Sequence, residues 1–302
     1  MSTQNPSFGE YTATLARRVD AALWVRSEAG KGCPAKLHEA IRYSLLASGK
    51  RLRPNLVLMA AGACRGSPEA AMPAACAVEM VHTYSLIHDD LPAMDDADLR
   101  RGQPTCHKVF GEAMAILAGD ALLAMAFEVL AKEIKPPEVA AACCATLAVA
   151  AGPCQLVGGQ ADDLAGSGPQ GLGPGAGLPE LEAIHHRKTG AMIGACLRLG
   201  GLVACAAEAP LHALDQYGRC LGLAFQITDD LLDVRGDSAT AGKPVGRDAG
   251  QGKLTFPGLL GINESQRRAK QLVEDACLAV AVLGEPAGRL VELARFVLER
   301  NR

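Results

Sequence analysis

The chain has 302 residues, 49% of them hydrophobic and 21% charged, which is ample apolar material for a large core and excludes a disordered polymer. Its net charge of -3 sets up no global field for nucleic acid or anionic membrane, so affinity for anions must come from local basic clusters. Only 4% of residues are aromatic, while Ala, Leu, Gly and Val abound, a composition that favours helix-on-helix packing. The eleven cysteines are an odd number without a CxxC pair; they argue against a disulfide framework or zinc ribbon and suit small buried hydrophobes in a reducing cytosol. The polar start "MSTQNPSFGEY" does not resemble a secretion signal, and the longest apolar run, "VAAACCATLAVAAG", is too short to span a bilayer. A soluble, cytoplasmic protein is expected.

Taken in chain order, Tyr11, Leu15, Val19 and Leu23 recur at every fourth position, and Leu37, Ile41 and Leu45 do so after Pro34, as amphipathic helices require. Further helices are expected to begin near Pro54, Pro68, Glu112, Pro137, Pro179, Pro210 and Ser265, several with proline where the first helical turn tolerates it. Residues 69–88 and 211–233 lack a strong polar face, which predicts helices buried on nearly all sides, and each carries Asp at or near its end. The Gly- and Pro-rich stretch "GSGPQGLGPGAGLP" reads as a long surface loop. No solenoid repeat is visible. The fold class expected is all-α, a single helical bundle over residues 1–302 with about ten or more helices.

The stretch "HDDLPAMDD" puts Asp89 and Asp90 in the last turn of a buried helix, with Asp95 and Asp96 in the loop that Pro92 forces. A second cluster, "TDDLLD", sets Asp229 and Asp233 four apart on one helix face. Carboxylates massed at a buried helix end meet an unfavourable dipole and repel one another, so positive charge must compensate, and divalent cations are the natural candidate. All-oxygen ligands point to Mg²⁺ or Mn²⁺, and Mg²⁺ completes its octahedron with water and substrate phosphates. Cationic donors for phosphate appear in "SGKRLRP" (Lys50, Arg51, Arg53), "LRRGQPT" (Arg100, Arg101), "HRKTG" (Lys188) and "GKPVGRD" (Lys243, Arg247). None follows the P-loop pattern.

In this order the motifs resemble those of the trans-polyprenyl diphosphate synthases, and among them the bacterial-type farnesyl diphosphate synthases. The likeness runs through "SGKRLRP", "EMVHTYSLIHDDLPAMDDADLRRGQPTCHK", "LAGDALL", "LVGGQADDL", "HRKTG", "FQITDDLLD" and "GKPVGRD" to the basic end "ERNR". It implies an isoprenoid synthase fold with a central cavity, its two Asp-rich motifs facing each other across the mouth. Mg²⁺, or Mn²⁺, would bridge an allylic diphosphate to Asp89, Asp95 and Asp229, with Arg100, Lys188 and Lys243 on the same diphosphate. Isopentenyl diphosphate would be gripped by Lys50, Arg53, His82 and Arg101, with Arg300 or Arg302 closing over it. Lys188, Thr189 and Gln226 would form the catalytic group, the last two as oxygen dipoles beside a carbocation. The implied reaction condenses isopentenyl diphosphate with dimethylallyl and geranyl diphosphate to farnesyl diphosphate, in a typically homodimeric enzyme. Tyr84 stands five residues before Asp89, about 7 to 8 Å deeper along a helix, and by resemblance caps the product at fifteen carbons; a geranylgeranyl synthase is the alternative. Ser48 replaces a usual Gly, and Arg247 a common Lys, without loss of charge.

Other readings compete. Glu79 with His82 and Glu182 with His185 have the Glu-x-x-His spacing of di-iron bundles, but that reading needs two more bridging Glu residues and leaves the Asp clusters unexplained. A non-catalytic subunit would be expected to have lost Asp or Lys/Arg positions that are all present here, and a terpene cyclase would lack the grip at Lys50 and Arg53. Zinc hydrolysis is set aside because the "HE" pair His38 and Glu39 has no second His after it.

Overall fold

Ser7 opens the first helix, α1 (Phe8–Arg26), with a capping box: the Glu10 carboxylate accepts from Ser7 N at 2.9 Å, and the Ser7 hydroxyl accepts from Glu10 N. Its repeat Leu15, Val19 and Leu23 is buried, as are Ile41 and Leu45 of α2 (Ala35–Leu45). The computed structural model describes residues 6–28, 30–166, 177–235 and 254–299. A left-handed Arg51 (φ 46°) starts α3 (Leu52–Ala63), and Ser67 caps α4 (Pro68–Asp89), whose Pro68 sits where no helix hydrogen bond is lost. As the missing polar face implied, α4 is buried along nearly its whole length and packs against α3 and, further on, α6 and α10.

After α4 comes a feature the sequence patterns did not signal: a hairpin of two-residue strands, β1 (Leu99–Arg100) and β2 (Gln103–Pro104). Arg101 and Gly102 both have positive φ (53° and 78°), the pattern of the tight turn that matches strand twist. Strands this short leave no alternation to read. The chain continues through α5 (Cys106–Phe110), α6 (Glu112–Glu133), α7 (Pro137–Ala151) and α8 (Leu156–Gly166). Most of the Gly- and Pro-rich stretch, residues 167–176, lies outside the described residues.

From α9 (Leu178–His185) the helix widens into a π-turn, His186–Gly190, and resumes as α10 (Ala191–Val203). Then follow α11 (Glu208–Arg235), α12 (Phe256–Leu260), α13 (Ile262–Ala279) and, after two 3-10 turns, α14 (Gly288–Glu299). The main core draws on residues from Leu15 to Val297 around α3, α4, α10 and α11. A smaller cluster, Leu181, Ile227, Leu231, Phe256 and Ala269, supports the end of α11. The architecture is all-α, and the two acidic motifs sit on its two most buried long helices.

Candidate active site

The loop after α4 folds back on the helix end. Asp95 N donates to Asp89 O at 2.9 Å, Asp96 N to Leu91 O at 3.1 Å and Ala97 N to Asp90 O at 3.2 Å, which satisfies carbonyls a helix end leaves unpaired and brings Asp95 beside Asp89. The two aspartates of the helix end then part company. Asp90 turns inward and is held bidentately by Arg100, with Nε at 2.7 and 2.8 Å and Nη2 at 2.6 Å. For Asp90 the compensating charge is therefore a guanidinium and not a metal ion.

Asp89 stays half-buried without such a clamp. Burial pushes its carboxyl up to about 6; Lys188 opposes that, Asp95 adds to it, and Arg100 and Asp90 act in the same two senses. A carboxylate crowded by carboxylates and poor in water fits a hard divalent cation. Among the described residues no three His, Cys, Asp or Glu side chains come together as a ready metal-binding group.

A basic cluster lies two turns back along α4, around His82. Arg53 Nη1 donates to His82 Nε2 at 3.2 Å, and Arg101 Nη1 donates to Ser48 O at 2.8 Å across Gly49, where a Cβ would lie 2.3 Å from the guanidinium. Burial, then Arg53, Arg101, Arg100 and Arg51, hold the His82 imidazole well below its ordinary value, so it accepts as a neutral ring. Arg53 Nε is buried with no partner, an orphaned donor suited to an anion. Lys50 is exposed at the rim. Arg51, grouped with these cations by sequence, is not available: it is buried and bonded to Glu79 at 2.6 Å, Asp20 at 2.7 Å and Ala47 O at 2.8 Å.

The π-turn carries Lys188 and Thr189. Gly159 of α8 lies so close that a Cβ there would be 2.7 Å from Lys188 N, and this contact fixes the widened turn against α8. Lys188 Nζ is 2.7 Å from Asp163 Oδ2, and Thr189 Oγ1 donates to Gln226 Oε1 at 3.3 Å. Gln226 lies one turn before Asp229 on α11, so Asp89, Lys188, Thr189, Gln226 and Asp229 form a connected series. Asp229 is half-buried, while Asp230 is buried and accepts from Phe256 N at 2.9 Å. Lys243, Arg247, Arg300 and Arg302 lie outside the described residues. Glu79 and Glu182 are each taken up by an arginine, Arg51 and Arg268, which removes the di-iron reading.

Residues 34–280 match the family model described as polyprenyl synthetase. The chain belongs to that family. It is 46% identical over 301 residues to geranylgeranyl pyrophosphate synthase 11, chloroplastic, of Arabidopsis thaliana, covering 97% of this chain and 82% of that protein. It is 48% identical over 246 residues to the farnesyl diphosphate synthase of Geobacillus stearothermophilus, covering 80% and 81%. A solved FPP/GFPP synthase from Zymomonas mobilis superposes with a TM-score of 0.86 at 37% identity, covering 96% of this chain and 98% of that one. This polyprenyl synthetase is thus a trans-prenyl diphosphate synthase, whose relatives carry names with different product lengths. Within its site, residue-type reasoning gave no role to Gln160 and Asp163. Both amide atoms of Gln160 are buried and unpartnered one turn before the carboxylate that meets Lys188. The quoted "LVGGQADDL" was the available signal.

Proposed function

We propose that this synthase condenses isopentenyl diphosphate with dimethylallyl and then geranyl diphosphate and stops at farnesyl diphosphate. The observation that carries the stop length is Tyr84, buried one and a half turns below Asp89 on α4 with its ring edge-on to His88, at 5.2 Å and 83°. A bulky ring fixed there limits the depth available to a growing chain.

Asp89, Asp95 and Asp229 would hold Mg²⁺, with Mn²⁺ as a substitute, and the bound ion would neutralise charge on the departing diphosphate. Lys188 supplies a compact cation beside the same oxygens, and Arg100 presents its guanidinium from the Asp90 clamp. The Lys50, Arg53, neutral His82 and Arg101 cluster seats the second diphosphate. The hydrogen bond from Thr189 to Gln226 orients the threonine oxygen as the negative end of a dipole for the allylic carbocation. The double bond of isopentenyl diphosphate attacks that cation, a new carbon–carbon bond forms, and a proton passes to the released pyrophosphate. Apolar walls exclude water that would quench the cation to an alcohol.

The active form is read as a homodimer, because the apolar helices α6 and α7 present Ile116 (43% exposed), Leu117 (50%) and Val149 (67%) outward. The cytoplasmic reading rests on eleven free thiols.

The test is incubation with Mg²⁺, isopentenyl diphosphate and dimethylallyl diphosphate, a metal-free control, and mass spectrometry of the dephosphorylated products. Metal-dependent farnesol supports the reading. Geranylgeraniol keeps the chemistry and overturns the stop length, a reading favoured by relatives named for that product. No prenyl alcohol overturns the activity.

A further inference from the structure

Gly119 sits in the middle of a 22-residue helix, α6, that is otherwise rich in alanine. Glycine there is less favourable than alanine, so its presence needs a reason. The reason lies across the interface with α4. A Cβ on Gly119 would fall 2.2 Å from His88 Nε2 and 2.6 Å from His88 Cδ2, so an alanine there would have to displace the ring. The Nε2 edge of the imidazole occupies the space a methyl group would fill.

That seat fixes the ring. His88 Nε2 is 3.1 Å from Ile116 O, to which its N–H donates, and 3.9 Å from Asp120 Oδ1. His88 and Tyr84 are four apart on α4 and so share a face. The imidazole meets the phenol edge-on with centroids 5.2 Å apart. His88 is half-buried and Tyr84 is buried. The phenol is thereby pinned between its own helix and a ring that α6 holds in place. Without the imidazole, Tyr84 would gain rotamer freedom and room to swing away from the space below Asp89.

We propose that His88 is a positioning residue that sets product length by bracing Tyr84, and that Gly119 is the slot that seats it. The inference rests on the reading of Tyr84 as the floor of the prenyl cavity.

The test compares the products of the parent, Tyr84→Ala, His88→Ala, His88→Gln, Gly119→Ala and the double variant His88→Ala/Gly119→Ala, together with KM for isopentenyl and allylic diphosphates. Thermal unfolding checks the fold of each. His88→Ala and Gly119→Ala should raise the share of products longer than the parent's by roughly fivefold, the change an aromatic edge contact supports. The rate of the first condensation should stay within about twofold, because no group bound to the reacting atoms is removed.

His88→Gln retains an N–H for the Ile116 carbonyl but not the ring, so lengthening in this variant assigns the effect to the brace. Parental product length in His88→Gln would reduce His88 to a tether between helices and overturn the proposal. If Gly119→Ala does not fold, the double variant places the new methyl in the vacated space and should still lengthen the product. Unchanged products in the folded His88 variants, alongside lengthening in Tyr84→Ala, sink the brace while sparing the floor. No lengthening in Tyr84→Ala sinks the floor and the brace together.

Discussion

The two acidic helix ends use the same dipeptide in different ways. At the end of α4 and near the end of α11, neighbouring aspartates lie about 100° apart around the helix, so one stays partly exposed and the other turns to the interior. Asp89 and Asp229 are half-buried, whereas Asp90 and Asp230 are only 3% and 8% exposed. The inward residue of α4 is clamped by a charged group, Arg100, and that pairing anchors the hairpin that presents Arg101. The inward residue of α11 accepts from a backbone donor, Phe256 N, with His185 Nε2 at 4.0 Å, and caps the return of the chain into α12. Each pair thus divides into a half-buried residue, the one proposed to meet ligand, and a buried one that anchors the neighbouring chain.

The largest effect should separate the outward pair from the inward one. Asp89→Ala and Asp229→Ala are each expected to lower turnover by about 10²–10³-fold, the scale for loss of a group that stabilises transition-state charge, with thermal unfolding unchanged. Near-normal steady-state rates in either variant would break the assignment. Asp90→Ala should act on stability as well as on the placing of Arg100: it leaves that guanidinium without its partner, a loss of about 3–5 kcal/mol in urea unfolding. Replacing both as Asp90→Ala/Arg100→Met should recover much of that. Asp230→Ala removes one acceptor from a buried N–H and should cost about 1–3 kcal/mol. A cost equal to that of Asp90→Ala would show that the Arg100 clamp adds nothing beyond what the contacts of Asp230 supply.

How far the sequence discloses this division is instructive. The fourth-position repeat of α1, the unbroken apolar face of α4 and the types of cation in the site are legible, because periodicity and charge are local properties, whereas α11, expected to be buried on nearly all sides, leaves His212, Gln216 and Arg219 exposed. Which aspartate of a pair turns inward is not, since Asp89 and Asp90 differ only by a rotation and the partner of Asp90 arrives ten residues later on a hairpin too short to have a pattern. The same holds for "KRLRP", where Arg51 and Arg53 are alike on paper. A left-handed backbone at Arg51 buries its side chain against Glu79 and leaves Arg53 beside His82. The π-turn is likewise a tertiary product, in which Lys188 and Thr189 take their places because Gly159 admits the backbone of the next segment.

The smallest effect sharpens the comparison two turns deeper. Seven residues before Asp89 stands His82, among Arg53 and Arg101, and seven before Asp229 stands Gly222, where a Cβ would be 3.0 Å from Gly190 Cα. At this depth α4 carries an imidazole where α11 carries no side chain. Burial and then Arg53 depress the folded His82 value well below 6.5, so between the two values the unfolded chain binds the extra proton. The neutral ring's contribution is fully present above the unfolded value and is lost as pH falls through the folded one. One proton sets the limiting slope at about 1.4 kcal/mol per pH unit. Unfolding free energies measured from pH 7 to pH 5 should fall more steeply in the parent than in His82→Gln, with the curves converging above neutrality. Parallel curves would mean that burial and the arginines around His82 do not hold it neutral.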